Sequence, residues 1–137
     1  MVEFFYQCQV DAPLEKVRAF FNSPLNLLKI TPLSFLMDLH PKEEIREGLV
    51  IDLKLLGFAF MSSLIRDVSP FGFTDVAPKK PPFLKYWEHR HVFVPKGNLT
   101  VIEDHLMVDA FLPNSLTRVL LKSMFLYRCK RIKKLMV

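Results

Sequence analysis

Glycine is scarce in this sequence, and long apolar runs are absent. Four glycines in 137 residues leave no stretch rich enough to cradle the phosphates of a nucleotide, because such loops need several glycines close together. No apolar run approaches the roughly 20 residues that cross a bilayer as a helix. Met1 does not begin a basic and then apolar segment of the kind that directs secretion. We therefore expect a soluble, cytoplasmic protein.

Cysteine is also scarce, since only Cys8 and Cys129 occur. Their wide separation matches none of the close spacings with which cysteine pairs bind zinc. Isolated cysteines without a secretion signal usually remain reduced, because disulfides are rare in reducing compartments. The sequence therefore predicts two free thiols.

Positive charge is in modest excess. Nineteen lysine and arginine residues against fourteen aspartate and glutamate residues give a net charge of +5, and only residues 130–134 concentrate it. Nucleic-acid-binding proteins usually show denser basic stripes with exposed aromatic residues, so no nucleic-acid partner is predicted. The basic C-terminal end predicts at most a transient contact with a membrane surface, worth about 1 kcal/mol per cation.

Residues 86–110 predict a long β-hairpin, because two runs of alternating polar and apolar residues flank a turn-like segment at 95–98. A four-residue loop there pairs His89 with Asp104 across the hairpin. Since side chains alternate along a strand, both residues and His91 belong to one otherwise apolar face. The apolar members of that face are Trp87, Phe93, Ile102 and Leu106. We expect a histidine and an aspartate that are buried together to pair, because burial of an unpaired charge costs much free energy.

A second hairpin is predicted at residues 49–64, with a two-residue turn at 56–57. The turn pairs Leu55 with Phe58, and unbroken alternation then defines one inner face for both strands. The members of that face that we expect to line a cavity are Leu53, Phe58, Phe60 and Ser62. Ser62 is a small polar exception among them and suits a roomy interior.

The order of the elements predicts an α+β domain that spans residues 1–137. One strand and two short helices, all within residues 4–30, precede about six strands, and the hairpin-length links between these strands favour an antiparallel sheet. The final helix carries the apolar stripe Leu116, Leu120, Met124 and Tyr127. We therefore expect a helix-grip architecture, in which a seven-stranded, curved antiparallel sheet in β-α-α-β6-α order wraps around a long C-terminal helix. Such a curve leaves a natural cavity between sheet and helix.

Several motifs together resemble the SRPBCC superfamily of START-like, birch-pollen-allergen-like proteins. In chain order they are Asp11-Ala12-Pro13, NLLKITP at 26–32, Glu47-Gly48, Trp87-x-His89-x-His91-x-Phe93, Thr100-x-Ile102-x-Asp104 and Tyr127-Arg128. Members of the superfamily hold an apolar molecule between sheet and helix; some carry lipids or sterols, and some are polyketide cyclases. The chain departs from the usual pattern at residues 79–82 and 114–115, which affects the predicted mouth of the cavity and not the fold. The resemblance implies a small hydrophobic or lipid-like ligand.

The resemblance and the inward faces together predict the residues that contact this ligand. They are Leu53, Phe58, Phe60, Ser62, Trp87, His89, His91, Phe93, Ile102, Asp104, Leu106, Leu120, Met124, Tyr127 and Arg128. The four ionisable members would orient a polar end of the ligand, and the remaining members would bury its apolar part. No cofactor is predicted.

The group formed by His89, His91 and Asp104 has several interpretations. It is either a hydrogen-bonded structural cluster that satisfies its own polarity or a contact for the polar end of the ligand. Two histidines at i and i+2 that face a carboxylate are also a possible set of metal ligands. No fourth ligand is evident, however, and we predict no metal.

Binding is favoured over catalysis. No serine or cysteine has a base in a compatible register, and the only candidate acid–base pair is His89 with Asp104. A cyclase- or hydratase-type enzyme that uses this pair is the first alternative. The second is a protein-interaction module of the co-chaperone-stimulator type, which requires an exposed apolar patch and no cavity.

Overall fold

A seven-stranded antiparallel sheet and a long C-terminal helix organise residues 1–136, the part of the chain that the computed structural model describes. The elements in chain order are β1 (Val2–Val10), α1 (Leu14–Asn22), α2 (Pro24–Lys29), a 3₁₀ turn (Ser34–Leu36), β2 (Met37–His40), β3 (Val50–Leu55), β4 (Phe58–Ser69), β5 (Gly72–Val76), β6 (Leu84–Lys96), β7 (Leu99–Ala110) and α3 (Asn114–Leu135). The strands lie in the spatial order β1-β7-β6-β5-β4-β3-β2. The predicted α+β class, strand number and C-terminal helix are confirmed. No helix of these residues is long and apolar enough to cross a membrane.

One face of the sheet packs against the helices and carries the core. Alternation along each strand brings apolar side chains to this face. The larger cluster lies between the sheet and α1, around Phe21, Phe73 and Phe93. A smaller cluster lies under α3, around Leu106 and Phe125. Full burial of a side chain of this size contributes roughly 1.5–3 kcal/mol, so the two clusters hold the helices on the sheet.

The β6–β7 hairpin turns more tightly than predicted. Its turn spans only residues 97–98, and Gly97 adopts a φ of 63°, which glycine tolerates without steric cost. The predicted four-residue loop is therefore wrong, and the pairing is displaced by two residues. Because two residues are the side-chain period of a strand, the inward face is unchanged. His91, and not His89, lies directly opposite Asp104.

The β3–β4 hairpin contains a β-bulge that alternation alone does not predict. Pairing begins as expected at Leu55 and Phe58, but the register shifts at Phe60, so that Leu53 pairs with Met61. A bulge inserts one extra residue into a strand, and the residues beyond it therefore change faces. The interior side chains of β4 are consequently Met61, Ser63 and Ile65.

The exposed tip and the bulge of the β3–β4 hairpin together overturn three of the predicted cavity residues. Phe58 lies at the tip of the hairpin and is 77% exposed. Phe60 occupies the bulge and packs against Phe83, with ring centroids 6.0 Å apart. Ser62 is buried on the other side of the strand, where its hydroxyl accepts a 3.0 Å hydrogen bond from the backbone N–H of Lys79. The prediction that these three side chains line the cavity is therefore wrong.

The buried stripe of α3 lies one residue away from the predicted one. Its members are Thr117, Leu121, Phe125, Cys129 and Ile132. Of the predicted stripe, Met124 is half-buried, but Leu116, Leu120 and Tyr127 are exposed. Leucines occur on nearly every side of this helix, so hydrophobic periodicity does not distinguish its inner face.

A disulfide joins Cys8 of β1 to Cys129 of α3, with Cα atoms 5.7 Å apart, so the prediction of free thiols is wrong. The two cysteines are 121 positions apart in the chain, and only the packing of α3 across β1 brings them together. The bond ties the helix that carries Arg128 to the sheet.

Candidate functional site

A cavity of about 130 Å³ lies between the sheet, α2 and α3. Its apolar lining is Pro24, Leu27, Leu28, Met37, Leu39, Ile51, Leu53, Met61, Ile65, Phe73 and Trp87. Its polar lining is Thr31, Ser63, Asp75, His89, His91 and Arg128. An apolar cavity of about 150 Å³ holds one benzene molecule, so this cavity has room for a group of about the size of a single ring.

Three adjacent strands bring the ionisable side chains into one wall of the cavity. Asp75 of β5 pairs with His89 of β6, and Asp104 of β7 pairs with His91 of β6. Side chains two residues apart on a strand point to the same face, so the two histidines are neighbours. The result is a contiguous group of two imidazoles and two carboxylates, which we call the His–Asp cluster.

Each imidazole of the His–Asp cluster lies between both carboxylates. The short contacts join His89 Nε2 to Asp104 Oδ1 and His91 Nε2 to Asp75 Oδ2, each at 2.7 Å. The second nitrogens are more distant, with His89 Nδ1 3.6 Å from Asp75 Oδ2 and His91 Nδ1 3.8 Å from Asp104 Oδ1. The two rings stack with centroids 3.7 Å apart.

Aromatic side chains fix the position of this cluster. Phe73 stacks on the outer face of His91, with centroids 4.3 Å apart. Trp87 and Phe125 meet His89 edge to face, and the indole N–H of Trp87 donates a 2.9 Å hydrogen bond to Asp75 Oδ1. These contacts give the two rings a defined orientation, and a large rotation of either ring would disturb its neighbours.

The surroundings keep both carboxylates ionised. Burial by itself raises the pKa of Asp75, but the hydrogen bond from His91 and the proximity of His89 outweigh it and lower that pKa to about 2. Burial likewise opposes ionisation of Asp104, and the hydrogen bond from His89, with the nearby Arg128, lowers its pKa. An ionised carboxylate only accepts hydrogen bonds, so both histidines donate from Nε2.

His91 is a neutral imidazole in this setting. Burial, reinforced by the proximity of His89, lowers the pKa of His91 to about 4 despite the opposing effect of Asp75. A neutral imidazole carries one N–H, which His91 donates from Nε2 to Asp75. Its Nδ1 is buried and has no hydrogen-bond partner among residues 1–136. An orphaned polar atom of this kind is uncommon in a buried site.

Arg128 brings a cation from α3 to the cavity wall. Its guanidinium carbon lies 5.0 Å from the centroid of the Phe125 ring. Burial lowers the pKa of Arg128, and Asp104 and Asp75 oppose that effect, so the side chain remains charged. Within the described part of the chain it makes no side-chain hydrogen bond or ion pair, which leaves its donors available to a ligand.

The structure gathers some of the predicted contact residues and separates others. Leu53, Trp87, His89, His91 and Arg128 line the cavity. Phe93, Ile102 and Leu106 belong to the packed core, and Asp104 lies behind His89. Leu120 and Met124 line a separate apolar groove under α3, and Tyr127 is exposed.

Asp75 and the lining residues of α2 were not predicted as site residues. Asp75 shares the inward side of β5 with Phe73, and it lies beside His89 once β5 and β6 pair. The first fact follows from the alternation of β5 and the second needs only the adjacency of β5 and β6, so the signal that Asp75 points inward was present in the sequence. For α2 the signal is absent, because helical periodicity does not tell a packed apolar side chain from one that borders a cavity.

No protein-family model and no curated protein matches the chain. Solved structures do resemble it. A START superfamily protein from Mycobacterium smegmatis superposes with a TM-score of 0.74 at 13% identity, covering 98% of this chain and 96% of that one. The di-domain ARO/CYC protein StfQ from the steffimycin biosynthetic pathway gives a TM-score of 0.78 at 13% identity, over 98% of this chain and 50% of that one.

A third structure places the same fold within a much longer chain. The nucleoside-diphosphate sugar epimerase from Corynebacterium glutamicum gives a TM-score of 0.75 at 22% identity, over 96% of this chain and 28% of that one. At such identities the likeness shows the fold alone. The resemblance to START-like proteins that the motifs predict is confirmed at that level.

Proposed function

We propose that this chain, which has the helix-grip fold of START-like proteins, binds a small hydrophobic molecule with one polar end. The observation that carries the proposal is the cavity, whose mostly apolar lining also includes the ionisable side chains of Asp75, His89, His91 and Arg128. Apolar walls with a few convergent polar groups are typical of small-molecule sites. The third interpretation of the sequence, a protein-interaction module, requires that there be no cavity, and the cavity therefore speaks against it.

The dimensions of the cavity limit the size of the ligand. About 130 Å³ holds about one six-membered ring, so a short substituent requires a small movement of the walls and a polycyclic ligand requires a large one. Burial contributes roughly 0.8 kcal/mol per methylene-sized group, and a hydrogen bond to a charged donor adds about 1.5–3 kcal/mol. We therefore expect dissociation constants in the range of about 10 µM to 1 mM.

The charges of the wall favour a neutral polar end. Asp75 and Asp104 carry two negative charges against the single positive charge of Arg128, so a carboxylate ligand adds a third negative charge to a buried site. A carbonyl or phenol oxygen accepts a hydrogen bond from Arg128 without that cost. The substrate class that fits is thus a small aromatic or alicyclic ketone, aldehyde or phenol.

A matched set of probes tests this proposal. Acetophenone, benzoate and ethylbenzene have similar shapes and differ in the polar end, and amide chemical shifts in nitrogen–proton correlation spectra report where each one binds. We expect acetophenone to shift the amides of cavity residues most, ethylbenzene less and benzoate least.

Two tryptophan substitutions on β3 provide the control. Leu53→Trp fills the cavity and is expected to abolish binding, whereas Val50→Trp adds the same side chain on the exposed side of the strand and leaves binding intact. Absence of cavity shifts with all three probes, or equal binding by the two variants, contradicts the proposed function.

Acid–base catalysis is the second candidate function, and the contacts of His89 favour it. Its ring borders the cavity, and its 2.7 Å hydrogen bond to Asp104 fixes the orientation of the ring, as in enzymes that use histidine as a base. The likeness to an ARO/CYC protein makes a cyclase- or hydratase-type reaction the one to test. It predicts that His89→Gln abolishes turnover and leaves the affinity for acetophenone within about threefold.

A cytoplasmic location stays a prediction, and the disulfide bears on it. Cys8 and Cys129 are joined by a disulfide bond, and such bonds persist mainly in oxidising compartments and are rare in the cytoplasm. Alkylation of thiols in freshly lysed cells, followed by mass spectrometry, distinguishes the two states. Reduced cysteines in the cell support the cytoplasmic location, and an intact bond favours an oxidising one.

A further inference from the structure

We infer that the His–Asp cluster is a metal site, in which Asp75, His89 and His91 bind one divalent first-row cation of the Zn²⁺ or Fe²⁺ type and leave a coordination position open to the cavity. This inference goes beyond the proposed binding of a hydrophobic molecule. It rests on the placement of ligand atoms, on the groups that support them and on the charge of the cavity wall.

The ligand atoms lie close enough to share one ion. One ligand atom from each of the three residues falls within 4.8 Å of the other two. Asp75 Oδ2 is 2.7 Å from His91 Nε2 and 3.6 Å from His89 Nδ1. Ligands at about 2.0–2.2 Å from a tetrahedral ion lie about 3.4 Å from one another, a value between these two distances. Two imidazoles and one carboxylate form a donor set typical of catalytic zinc and non-haem iron sites.

The stacked rings must turn slightly to bind the ion. Their planes are inclined by 28° and their centroids are 3.7 Å apart, whereas a metal lies in the plane of each imidazole that binds it. Rotation about the Cβ–Cγ bond of histidine is soft and broad, so each ring reaches the ion without a change of backbone. Metal binding thus unstacks the pair, which gives the site a signature in the spectra of the two rings.

Second-sphere groups for this metal site are already in place. Asp104 accepts the Nε2–H of His89 at 2.7 Å, which leaves Nδ1 of that ring facing Asp75. The indole of Trp87 donates to Asp75 Oδ1, which leaves Oδ2 as the ligand atom. Carboxylates and other groups that orient the ligands in this way accompany most protein metal sites.

The orphaned nitrogen of His91 is an independent observation in favour of the site. When His91 binds a metal through Nε2, its proton moves to Nδ1. That atom is buried and has no partner among the described residues, and Asp104 Oδ1 lies 3.8 Å away. Metal binding thus converts an unsatisfied atom into a donor that faces a carboxylate.

The charge of the wall also suits a divalent cation. The two carboxylates exceed the guanidinium of Arg128 by one negative charge, and a divalent cation turns this excess into one positive charge. A hydroxide at the open position then makes the group neutral. Because Asp75, His89 and His91 all border the cavity, that position is where a bound carbonyl oxygen would approach the ion.

Equilibrium dialysis of the disulfide-intact chain against micromolar Zn²⁺, with the metal measured by mass spectrometry, tests the site directly. No free cysteine is present in residues 1–136, so thiols do not contribute to uptake. We expect one equivalent of zinc on the wild-type chain. Co²⁺ should show the visible absorption of a low-coordinate site, and the imidazole proton signals of His89 and His91 should shift.

Three substitutions separate this site from surface binding. Asp75→Asn keeps the shape and the acceptor for Trp87 but removes the ligand charge, and it should weaken binding more than 100-fold. Asp104→Asn acts through His89 and should weaken binding about 10- to 100-fold. His105→Ala removes a histidine next to Glu103 outside the cavity and should change nothing. Circular dichroism checks that each variant is folded.

Several outcomes overturn the metal site, and the first of them does not depend on how the variants fold. Failure of the wild-type chain to take up one equivalent is sufficient. So is uptake that His105→Ala abolishes, or uptake that Asp75→Asn leaves unchanged. Binding of acetophenone is measured separately, in the presence of EDTA. A negative result for the metal therefore does not decide whether the cavity binds a hydrophobic ligand.

Discussion

The β6–β7 and β3–β4 hairpins wall the same cavity, but only the first brings ionisable side chains into it. The β6–β7 ladder is unbroken from residue 86 to its turn and is flanked by β5 and β1. The β3–β4 ladder shifts at Phe60, and its tip is exposed. Both hairpins have a neighbouring strand on each side, but the bulge interrupts the β3–β4 ladder, so fewer contacts must break together for that ladder to open. The polar groups therefore stand on the β6–β7 hairpin, which together with the neighbouring β5 we call the firmer wall. The β3–β4 hairpin has no ionisable side chain on its cavity side and can adapt to a ligand, so we call it the adaptable wall.

Removal of a carboxylate from the firmer wall is the largest expected perturbation. Asp104→Ala deprives His89 of its 2.7 Å partner and leaves Arg128 with one opposing charge fewer. The substitution leaves a buried N–H of His89 without its charged acceptor and also leaves a void, so we expect a loss of about 3–5 kcal/mol in the free energy of unfolding. Urea titration followed by circular dichroism measures it.

Met61→Ala is the matched change on the adaptable wall. Met61 lines the cavity and is only half-buried, so its truncation should cost less than about 2 kcal/mol, below the usual range for a fully buried side chain. Equal losses in Asp104→Ala and Met61→Ala would remove the distinction between the two walls.

Acid should weaken the firmer wall in two steps. His91 has a folded pKa of about 4 against an ordinary 6.5, so the unfolded chain takes up this proton first, and stability falls as the pH drops from about 6.5 to 4. The pKa of Asp75 is lowered from 3.8 to about 2, so its stabilising contribution is present above pH 3.8 and is lost as the pH falls towards 2. The first step should cost about 3 kcal/mol.

Urea unfolding at a series of pH values, with EDTA present, checks the first step. His91→Gln removes the titrating ring, and its stability should change much less between pH 6.5 and 4 than that of the wild type. His105→Ala removes an imidazole that lies outside the cavity and hydrogen-bonds to Glu103, and it serves as the control. A wild-type stability that is flat over this interval contradicts the burial of a neutral His91.

Arg128 should affect ligand selection more than it affects stability. Arg128→Met keeps most of the apolar stem and removes the donors, so acetophenone should bind about 10- to 100-fold more weakly, the equivalent of one charge-assisted hydrogen bond. Ethylbenzene, which has no acceptor, should bind as before. Arg118→Met changes an arginine of the same helix that donates to the backbone of Glu3 outside the cavity and is the control. Equal losses for both probes would mean that Arg128 shapes the cavity without binding the polar end.

The inward residues of the firmer wall were predicted correctly from the sequence, because side chains along a strand return to the same face every two residues. The turn at 97–98 was placed wrongly, but the error displaced the pairing by two residues and kept His89, His91 and Asp104 on the inward face. In the β3–β4 hairpin a single extra residue at Phe60 was enough to exchange the faces beyond it. A local insertion of this kind leaves no trace in the alternation of polar and apolar residues.

Long-range packing accounts for the other misses. The pairing of Cys8 with Cys129 and the inner face of α3 both depend on how the helix lies across β1. Neither is encoded in the spacing of apolar residues along α3, because leucines surround that helix. Asp75 is different, since its alternation with Phe73 on β5 marked it as inward and only the adjacency of β5 and β6 was needed to place it beside His89.

The smallest expected effect concerns the tip of the adaptable wall. Phe58 is 77% exposed although the alternation of β4 predicts an inward side chain. Phe58→Ser should therefore change the free energy of unfolding by less than about 0.5 kcal/mol, as surface substitutions usually do, and should leave acetophenone binding unchanged. Ile65→Ser, on the inward side of the same strand, should cost several kcal/mol because it buries an unpaired hydroxyl and leaves a void. Both stabilities come from urea titration. A large loss from Phe58→Ser would show that the ring packs inside, and the tip of the adaptable wall would then be part of the core.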